Sequence, residues 1–307
     1  NEYGGTTDGT KVRFDKVQPA LNQISVSSSN IWNQSWAKVG DTIQYNVNAS
    51  EDLLNISLLV QGNNTTITEL SLIEYTFQYI FINDNSDGQV NFEVIFSDSA
   101  GNSGDIVTET TNSSYTIFDK VPPSDFTVQD VITVGENSIA NAWNSTNSAI
   151  NINIPVSDDE SLDSGRVQII AKVANNDFEN LDNYHFFQSS DLNNSKIVSV
   201  SESLVESISG FSENDTITIS AIIYDVPGNM TIGSESNTKL VINQSIPIII
   251  NSNIESDFSD SSLSGVDNII TLIFETDTEI IIPSVTIAGQ EAIIVNLGDN
   301  EWQASYT

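Results

Sequence analysis

Apolar side chains along this chain fall in short runs that alternate with polar residues or continue unbroken over five to nine positions. Gly, Asn, Asp and Ser separate these runs, which include QYNVNA, VNFEVIFS, INIPV, TITISAIIY and IITLIFE. This spacing predicts β-strands, whereas helical periodicity is scarce. One stretch, DFENLDNYHFF, has some helical character, and we predict strand or loop there. About seven strands in roughly 100 residues predict antiparallel β-sandwiches, so the expected fold class is all-β.

A proline-marked phrase repeats along the chain as FDKVQP at 14–19, FDKVPP at 118–123 and INQSIP at 242–247. Asp15 and Asp119 lie 104 positions apart, and Asn243 follows 124 positions later. Proline fixes φ and lacks an N–H, so it suits a stiff connector between sheets. The repeat predicts four segments, and we expect them to be a window onto a longer array. They are a terminal strand of a preceding repeat at 1–16, immunoglobulin-like domains at 17–120 and 121–244, and a partial immunoglobulin-like domain at 245–307.

Further phrases recur in step with the prolines. FSDSAGN and IYDVPGN precede the two later boundaries, and VGDTIQYNVNASEDL corresponds to GVDNIITLIFETDTE. The order D-x-x-G-N, strand, D-x-x-P-P resembles tandem bacterial or archaeal immunoglobulin-like repeats of large surface proteins. The resemblance implies an extracellular β-sandwich array without catalysis of its own, as in S-layer proteins and adhesin stalks. The third boundary departs from the pattern, with Asn243 in place of aspartate.

Charge and composition narrow the possible partners. The chain has 42 acidic and 9 basic residues and a net charge of −33. Such a field repels nucleic acid and anionic lipid and attracts cations, although solubility in a salty medium would also explain it. Cysteine is absent, which excludes disulfides and thiolate chemistry within this sequence. There is no apolar run near the ~20 residues of a membrane helix, so we expect no membrane insertion within this segment.

Acidic residues recur at positions that should meet at the domain junctions. In an immunoglobulin-type sandwich the B–C and F–G loops lie at one end, where the linker also arrives. The acidic stretch after the second strand of each unit is then the B–C loop, and the D-x-x-G-N motif is the F–G loop. Ca²⁺ takes six to eight oxygen ligands in adaptable geometry, so these positions predict Ca²⁺ before each full domain. The alternative is that these Asp and Asn residues only form Asx-turns. The predicted ligands are Asp15, Glu51, Asp52, Asp98 and Asn102 at the first junction, and Asp119, Asp158, Asp159, Glu160, Asp225 and Asn229 at the second, where the acids are densest.

The third junction should bind metal weakly or not at all and could introduce a bend, because Asn243 replaces the linker aspartate beside Asp277 and Glu279. Elsewhere, 83–88 resembles the start of an EF-hand loop. Its twelfth position is Val94 instead of glutamate, so we predict a turn in which Gly88 supplies an unusual φ.

Two Asn-x-Ser/Thr sequons stand out as candidate glycosylation sites. Asn33 and Asn144 lie in similar phrases, IWNQS and AWNST, beside Trp32 and Trp143. An N-linked glycan requires such a motif on a surface loop. The alternative is that each tryptophan closes the end of its sandwich while the asparagine caps a turn.

Enzymatic function has little support in the sequence. His185 is the single histidine, and there is no G-x-S-x-G motif. We therefore predict a non-enzymatic segment at the cell surface whose partners are copies of itself or neighbouring surface proteins, and cations. An S-layer lattice or surface filament is favoured over an adhesin stalk, because the repeats differ in length. A carbohydrate-binding sandwich is the third possibility, with Trp32, Trp36 and Trp143 as candidate aromatic contacts.

Overall fold

The computed structural model describes residues 6, 8–10 and 14–307 of the chain. The predicted terminal strand at 1–16 falls largely outside these residues, and residues 14–16 have irregular backbone. The rest of the described chain is nearly all β, and most of its strand pairs are antiparallel, which confirms the predicted all-β fold class. The sheets fall within the three predicted ranges, called here unit 1 (17–120), unit 2 (121–244) and unit 3 (245–307).

Unit 1 is a sandwich in which an A-B-E-D sheet packs on the C and F strands, as in an immunoglobulin domain. The first layer is the sheet β1-β3-β7-β6, and the second layer contains two separate three-stranded sheets, β5-β4-β9 and β2-β10-β8. Strand β2 pairs in parallel with β10, so the first and last parts of the unit lie side by side. The strands are β1 (Leu21–Ser28), β2 (Trp36–Ala37), β3 (Thr42–Ala49), β4 (Leu53–Val60), β5 (Asn63–Asn64), β6 (Thr66–Ser71), β7 (Glu74–Ile80), β8 (Gly88–Gln89), β9 (Phe92–Asp98) and β10 (Ile117–Phe118).

Unit 2 repeats the plan with a longer connection between its C and E strands. Its sheets are β11-β13-β17 and β12-β20-β18-β14-β15, with β16 beside β14 and β19 beside β18. The stretch DFENLDNYHFF contains β15 and β16 with irregular backbone between them, which confirms strand and loop. The strands are β11 (Val131–Gly135), β12 (Ala142–Trp143), β13 (Asn147–Val156), β14 (Arg166–Val173), β15 (Glu179–Asn180), β16 (His185–Phe186), β17 (Asn194–Ser201), β18 (Thr216–Tyr224), β19 (Met230–Ile232) and β20 (Leu240–Ile242).

Short helical turns accompany the strands of unit 2. They are 3-10 turns at Glu160–Leu162 and Ser189–Asp191 and the helix α1 (Glu202–Val205) between β17 and β18. No helix in the described residues is long and apolar enough to cross a membrane.

Unit 3 contains the A-B-E-D sheet and one hairpin. The sheet has the order β21-β22-β26-β25, and β23 pairs with β24. The strands are β21 (Ile249–Ser256), β22 (Ile270–Thr276), β23 (Thr286–Ile287), β24 (Gln290–Glu291), β25 (Ile293–Gly298) and β26 (Glu301–Tyr306).

Alternation along the strands decides which side chains form each core. On β3, Ile43, Tyr45 and Val47 point inward and are buried, because successive side chains point to opposite faces of a sheet. Units 1 and 2 have separate hydrophobic cores. The largest fully buried side chain of the described residues is Trp143, whose indole Nε1–H donates to Glu206 Oε1 at 3.2 Å. Each full unit is therefore a self-contained sandwich.

Candidate functional site: the acidic domain junctions

The D-x-x-G-N phrase of unit 1 forms a tight turn that holds one buried carboxylate. Asp98 is 1 % exposed, and its Oδ1 accepts the backbone N–H groups of Ala100 at 2.9 Å and Asn102 at 2.8 Å. The Asn102 amide donates to Asp98 Oδ2 at 2.7 Å and to the carbonyl of Val17 in the linker at 3.2 Å. The motif asparagine thus ties the F–G turn to the incoming chain.

The same motif in unit 2 forms a similar turn, in which the N–H of Gly228 replaces the one that Pro227 lacks. Asp225 is 0 % exposed, and its Oδ1 accepts the N–H groups of Gly228 and Asn229, both at 2.7 Å. The Asn229 amide donates to Asp225 Oδ2 at 2.8 Å and to the carbonyl of Asp119 at 3.0 Å. Asp119 in turn accepts the N–H of Val121 at 2.9 Å, an Asx-turn that begins the linker.

At the first junction the predicted carboxylates converge. Ligand oxygens of Asp15, Glu51 and Asp98 all lie within 4.8 Å of one another, and Asp52 lines the same open cleft. Hydrogen bonds from Asn102 lower the pKa of Asp98, so this group is ionised at neutral pH. Two oxygens that each lie about 2.4 Å from one Ca²⁺ are at most about 4.8 Å apart, so the donor set fits the ion.

At the second junction the carboxylates gather less completely. Burial and the nearby carboxylates of Asp159 and Asp87 raise the pKa of Asp119. Burial and Asp119 raise the pKa of Asp225 to about 7. Two other predicted ligands of the B–C loop, Asp158 and Glu160, are exposed. Asp159 is half-buried and caps the 3-10 turn at Glu160–Leu162. In the densest acidic phrase of the sequence, Asp159 is therefore the carboxylate that lies near Asp119, whereas at the first junction both Glu51 and Asp52 line the cleft.

At the third junction, carboxylates of both flanking units contact the connecting chain. Glu213 of unit 2 accepts the N–H of Gln244 and the hydroxyl of Ser245, both at 2.8 Å. Asp277 Oδ1 accepts the N–H of Ile248 at 2.9 Å, and Glu279 is exposed. Asn243 is exposed, and its backbone N–H donates to the carbonyl of Trp143 at 2.8 Å.

Units 1 and 2 also touch directly across the second junction. Asn30 Nδ2 donates to the carbonyl of Pro227 at 2.8 Å, and Lys38 Nζ donates to the carbonyl of Gly228 at 2.9 Å. Both donors belong to unit 1, and both acceptors lie in the F–G turn of unit 2. The sequence reasoning missed these contacts, because neither donor belongs to a repeated phrase.

A second group missed from the sequence is a stack of rings around one cation. Arg166, at the start of β14, lies with its guanidinium carbon 3.6 Å from the ring centroid of Trp32 in unit 1. The sequence offered one signal for this group, the scarcity of basic residues, of which the chain has 9. In the structure Arg166 is buried, with 3 % exposure. Burial of a charged group requires a partner.

The two glycosylation candidates do not occupy equivalent positions. Trp36–Ala37 and Ala142–Trp143 pair in parallel with the last strands of their units, so Trp143 corresponds to Ala37 and not to Trp32. Asn33 is exposed. Asn144 is half-buried, and its Nδ2, the atom to which a glycan would attach, donates to the carbonyl of Asn137 at 2.8 Å. Asn33 is the more accessible acceptor.

The EF-hand-like stretch is a turn, as predicted, with Gly88 at φ 109°. It also holds the linker. Lys120 Nζ donates to the carbonyls of Asn83 and Asn85, both at 2.8 Å. Its backbone N–H donates to Asp87 Oδ1 at 2.8 Å. This turn therefore fixes the start of the second linker against unit 1.

The fold and junctions define a chain of immunoglobulin-like sandwiches arranged in tandem. No protein-family model matches the chain, and no curated protein matches its sequence significantly. Among solved structures it is similar to SGBP-B of the Bacteroides ovatus mixed-linkage glucan utilization locus, solved in complex with a mixed-linkage heptasaccharide. That match has 12 % identity and a TM-score of 0.18, and it covers 76 % of this chain and 50 % of SGBP-B. With so low a TM-score, we draw nothing about function from the match.

Proposed function

We propose that this chain is a non-enzymatic structural segment of a cell-surface assembly, an S-layer lattice or filament built of tandem immunoglobulin-like domains. The observation that carries the proposal is the second junction, where the linker and both units are joined by hydrogen bonds. Successive domains usually move relative to each other unless their interface holds them. A chain that fixes its own domain geometry is suited to building an ordered array. Its partners are further copies or neighbouring surface proteins, and Asn33 is the proposed glycan acceptor.

Sedimentation velocity and negative-stain electron microscopy of the purified chain, at several concentrations, test this function. A lattice component is expected to associate laterally into sheets or filaments as concentration rises. Monomeric rods at every concentration would favour the adhesin stalk instead. If units 1 and 2 adopt many relative orientations, both the lattice and the stalk are contradicted, because each requires a fixed arrangement of successive domains.

Ca²⁺ at the first junction is the second part of the proposal. Carboxylate oxygens of Asp15, Glu51 and Asp98 lie within the span that one ion bridges, and Asp52 faces the same cleft. Closely spaced carboxylates repel each other unless a cation lies between them. The bound ion would tie the linker to the B–C and F–G loops and so hold unit 1 against its incoming chain.

Ca²⁺ is therefore expected to raise the melting temperature of unit 1. A site filled at 100 times its Kd adds about 2.7 kcal/mol, which for a domain of this size corresponds to a rise in melting temperature on the order of 10 °C. Scanning calorimetry of the full chain in Ca²⁺ and in EDTA measures the shift. Glu51→Gln should abolish it, because it removes one ligand without breaking the Asp98 turn. Asp84→Asn, which removes an exposed carboxylate of the EF-hand-like turn, is the matched control and should retain it. A shift that persists in Glu51→Gln would exclude this site.

Saccharide binding is a second candidate function, favoured by a cleft of about 290 Å³ in unit 1. Tyr45, Phe92 and Tyr115 line it together with Gln89 and Glu109. Tyr45 is buried, so Phe92 and Tyr115 supply the accessible aromatic surface. Such a surface beside amide and carboxylate groups suits a sugar ring, which has both apolar and hydroxyl-bearing sides.

Calorimetric titration with a panel of oligosaccharides tests this cleft. Binding that is lost in Tyr115→Ala but kept in Tyr184→Ala, a tyrosine of unit 2, would assign the cleft as a sugar site. If no saccharide binds, or if Tyr115→Ala binds unchanged, the cleft has no such role.

A further inference from the structure

Three aromatic rings surround the guanidinium of Arg166 at the boundary between units 1 and 2. Its central carbon lies 3.6 Å from the ring centroid of Trp32, 4.7 Å from that of Tyr224 and 5.2 Å from that of Tyr184. Tyr184 meets Trp32 edge-on at 5.5 Å and Tyr224 edge-on at 5.7 Å. Unit 2 supplies the cation and two of the rings, and unit 1 supplies the third.

Hydrogen bonding alone does not account for the position of Arg166. One contact joins its Nη1 to the carbonyl of Asp225 at 3.4 Å, and its Nε is buried with no hydrogen-bond partner in the described chain. The side chain is 3 % exposed, so it has lost most of its hydration. A desolvated guanidinium is stabilised by the negative faces of aromatic rings, and most strongly by tryptophan. Trp32 is therefore the contact through which unit 1 stabilises a buried charge of unit 2.

The seam around the cation is closely packed. Gly228 has φ +93°, and a Cβ on it would lie 3.4 Å from Trp32, 3.5 Å from Arg166 and 3.6 Å from Lys38 Nζ. Lys38 donates to the Gly228 carbonyl. Two of the chain's 9 basic residues thus meet at one turn of an otherwise strongly acidic protein.

At the corresponding place in unit 1, the residues that the structure describes form no such cage. In unit 2, Arg166 pairs across the sheet with Tyr224, the residue directly before the aspartate of the D-x-x-G-N motif. The corresponding pair in unit 1 is Asn55 with Ser97, which offers neither a cation nor an aromatic ring. The first junction has instead the three converging carboxylates of Asp15, Glu51 and Asp98. The two junctions therefore differ in the source of positive charge that would hold them together.

We propose that the Arg166–Trp32–Tyr184–Tyr224 cage is an intramolecular latch that fixes units 1 and 2 in one orientation without a metal ion. A cation of the chain does at the second junction what Ca²⁺ is proposed to do at the first. The latch rests on the proposed function of a stiff array and deepens it. The second junction would stay rigid in the presence of a chelator, whereas the first junction would lose its Ca²⁺ and respond.

Pulsed electron–electron double resonance, which measures the distance between two spin labels, tests the latch on the full chain. Because the sequence has no cysteine, Thr68→Cys in β6 and Ser199→Cys in β17 provide two unique, exposed labelling positions, one in each unit. The distance distribution between the labels is expected to be narrow and equal in Ca²⁺ and in EDTA. Trp32→Ala, which leaves both cores intact, should widen it roughly twofold or more, since unlatched domains move independently.

Further variants separate the cation–ring contact from other effects. Arg166→Lys keeps the charge but loses the planar group that stacks on the rings, and it should also widen the distribution. Ile31→Ala, at an exposed neighbour of Trp32, is the control in unit 1. Lys172→Met removes a cation–ring contact within unit 2, with Phe178, and is the control there. Both should leave the distribution narrow.

A distribution that stays narrow in Trp32→Ala, or that widens in EDTA without any substitution, would overturn the latch. Widening in either control would do the same, because the effect would not be specific to the cage. Failure of Ca²⁺ to stabilise unit 1 would reject the first-junction site and leave this result unaffected, because the labels report only on units 1 and 2.

Discussion

Unit 2 is expected to be more stable at pH 5 than at pH 8 by about 2–3 kcal/mol on account of one carboxyl group. Burial and the neighbouring Asp119 carboxylate raise the pKa of Asp225 to about 7, against an ordinary value of 3.8. The folded state therefore holds a proton between about pH 4 and pH 7 that the unfolded chain releases. This contribution is complete below pH 4 and is lost as the pH rises through 7. Arg166, whose guanidinium donates to the Asp225 carbonyl, is charged throughout that range.

Urea unfolding at pH 5 and pH 8 measures this difference, and two matched variants isolate its source. Lower pH also relieves repulsion among the chain's 42 acidic residues, so the unsubstituted protein reports both effects. Asp225→Asn should reduce the difference in unfolding free energy between pH 5 and pH 8 by about 2–3 kcal/mol. Asp98→Asn changes the corresponding turn of unit 1, where hydrogen bonds lower the pKa of Asp98. It should leave the contribution of Asp225, about 2–3 kcal/mol, unchanged. Equal pH dependence in the two variants would show that Asp225 does not titrate in this window.

Trp143→Ala is expected to be the most destabilising single substitution proposed, with a loss of about 3–5 kcal/mol from unit 2. The indole is 0 % exposed, lies on the short strand β12 and donates to Glu206. Truncation leaves a cavity and removes that hydrogen bond. Scanning calorimetry should show the unit 2 transition lowered by on the order of 10 °C.

Two comparisons sharpen the Trp143 experiment. Trp143→Phe keeps most of the volume and should recover more than half of the loss. Trp36→Ala, in the matching strand β2 of unit 1, truncates a half-buried ring and should cost less than Trp143→Ala. If Trp36→Ala were the more damaging of the two, Trp143 would not be the main packing residue of its sheet.

Much of the fold follows from short-range patterns in the sequence. Alternation in QYNVNA and TITISAIIY predicts strands because the side-chain period of a strand is two. Proline and glycine mark where strands cannot continue. The matching of IWNQS with AWNST was wrong as a structural equivalence, because strand register follows the pairing of Trp36 and Trp143 with distant strands. No local pattern of letters encodes that pairing.

The junctions could be predicted in outline but not in their chemistry. Both D-x-x-G-N turns meet their linkers, as the repeat suggested. Which carboxylates converge depends on backbone direction in the B–C loop, and there the 3-10 turn beginning at Glu160 leaves Asp158 and Glu160 exposed. The role of Arg166 depends on a tryptophan 134 positions earlier in another domain. Such long-range contacts leave no periodic signal.

The parallel pairing of β2 with β10 and of β12 with β20 has a consequence for a chain under tension. In units 1 and 2 an early segment and the last strand lie side by side and point the same way. Force applied at the two ends pulls these strands in opposite directions along their length. Their hydrogen bonds are then loaded together in shear instead of being opened one at a time. Units 1 and 2 would then resist stretching at this terminal pairing, a property that suits the proposed array under load.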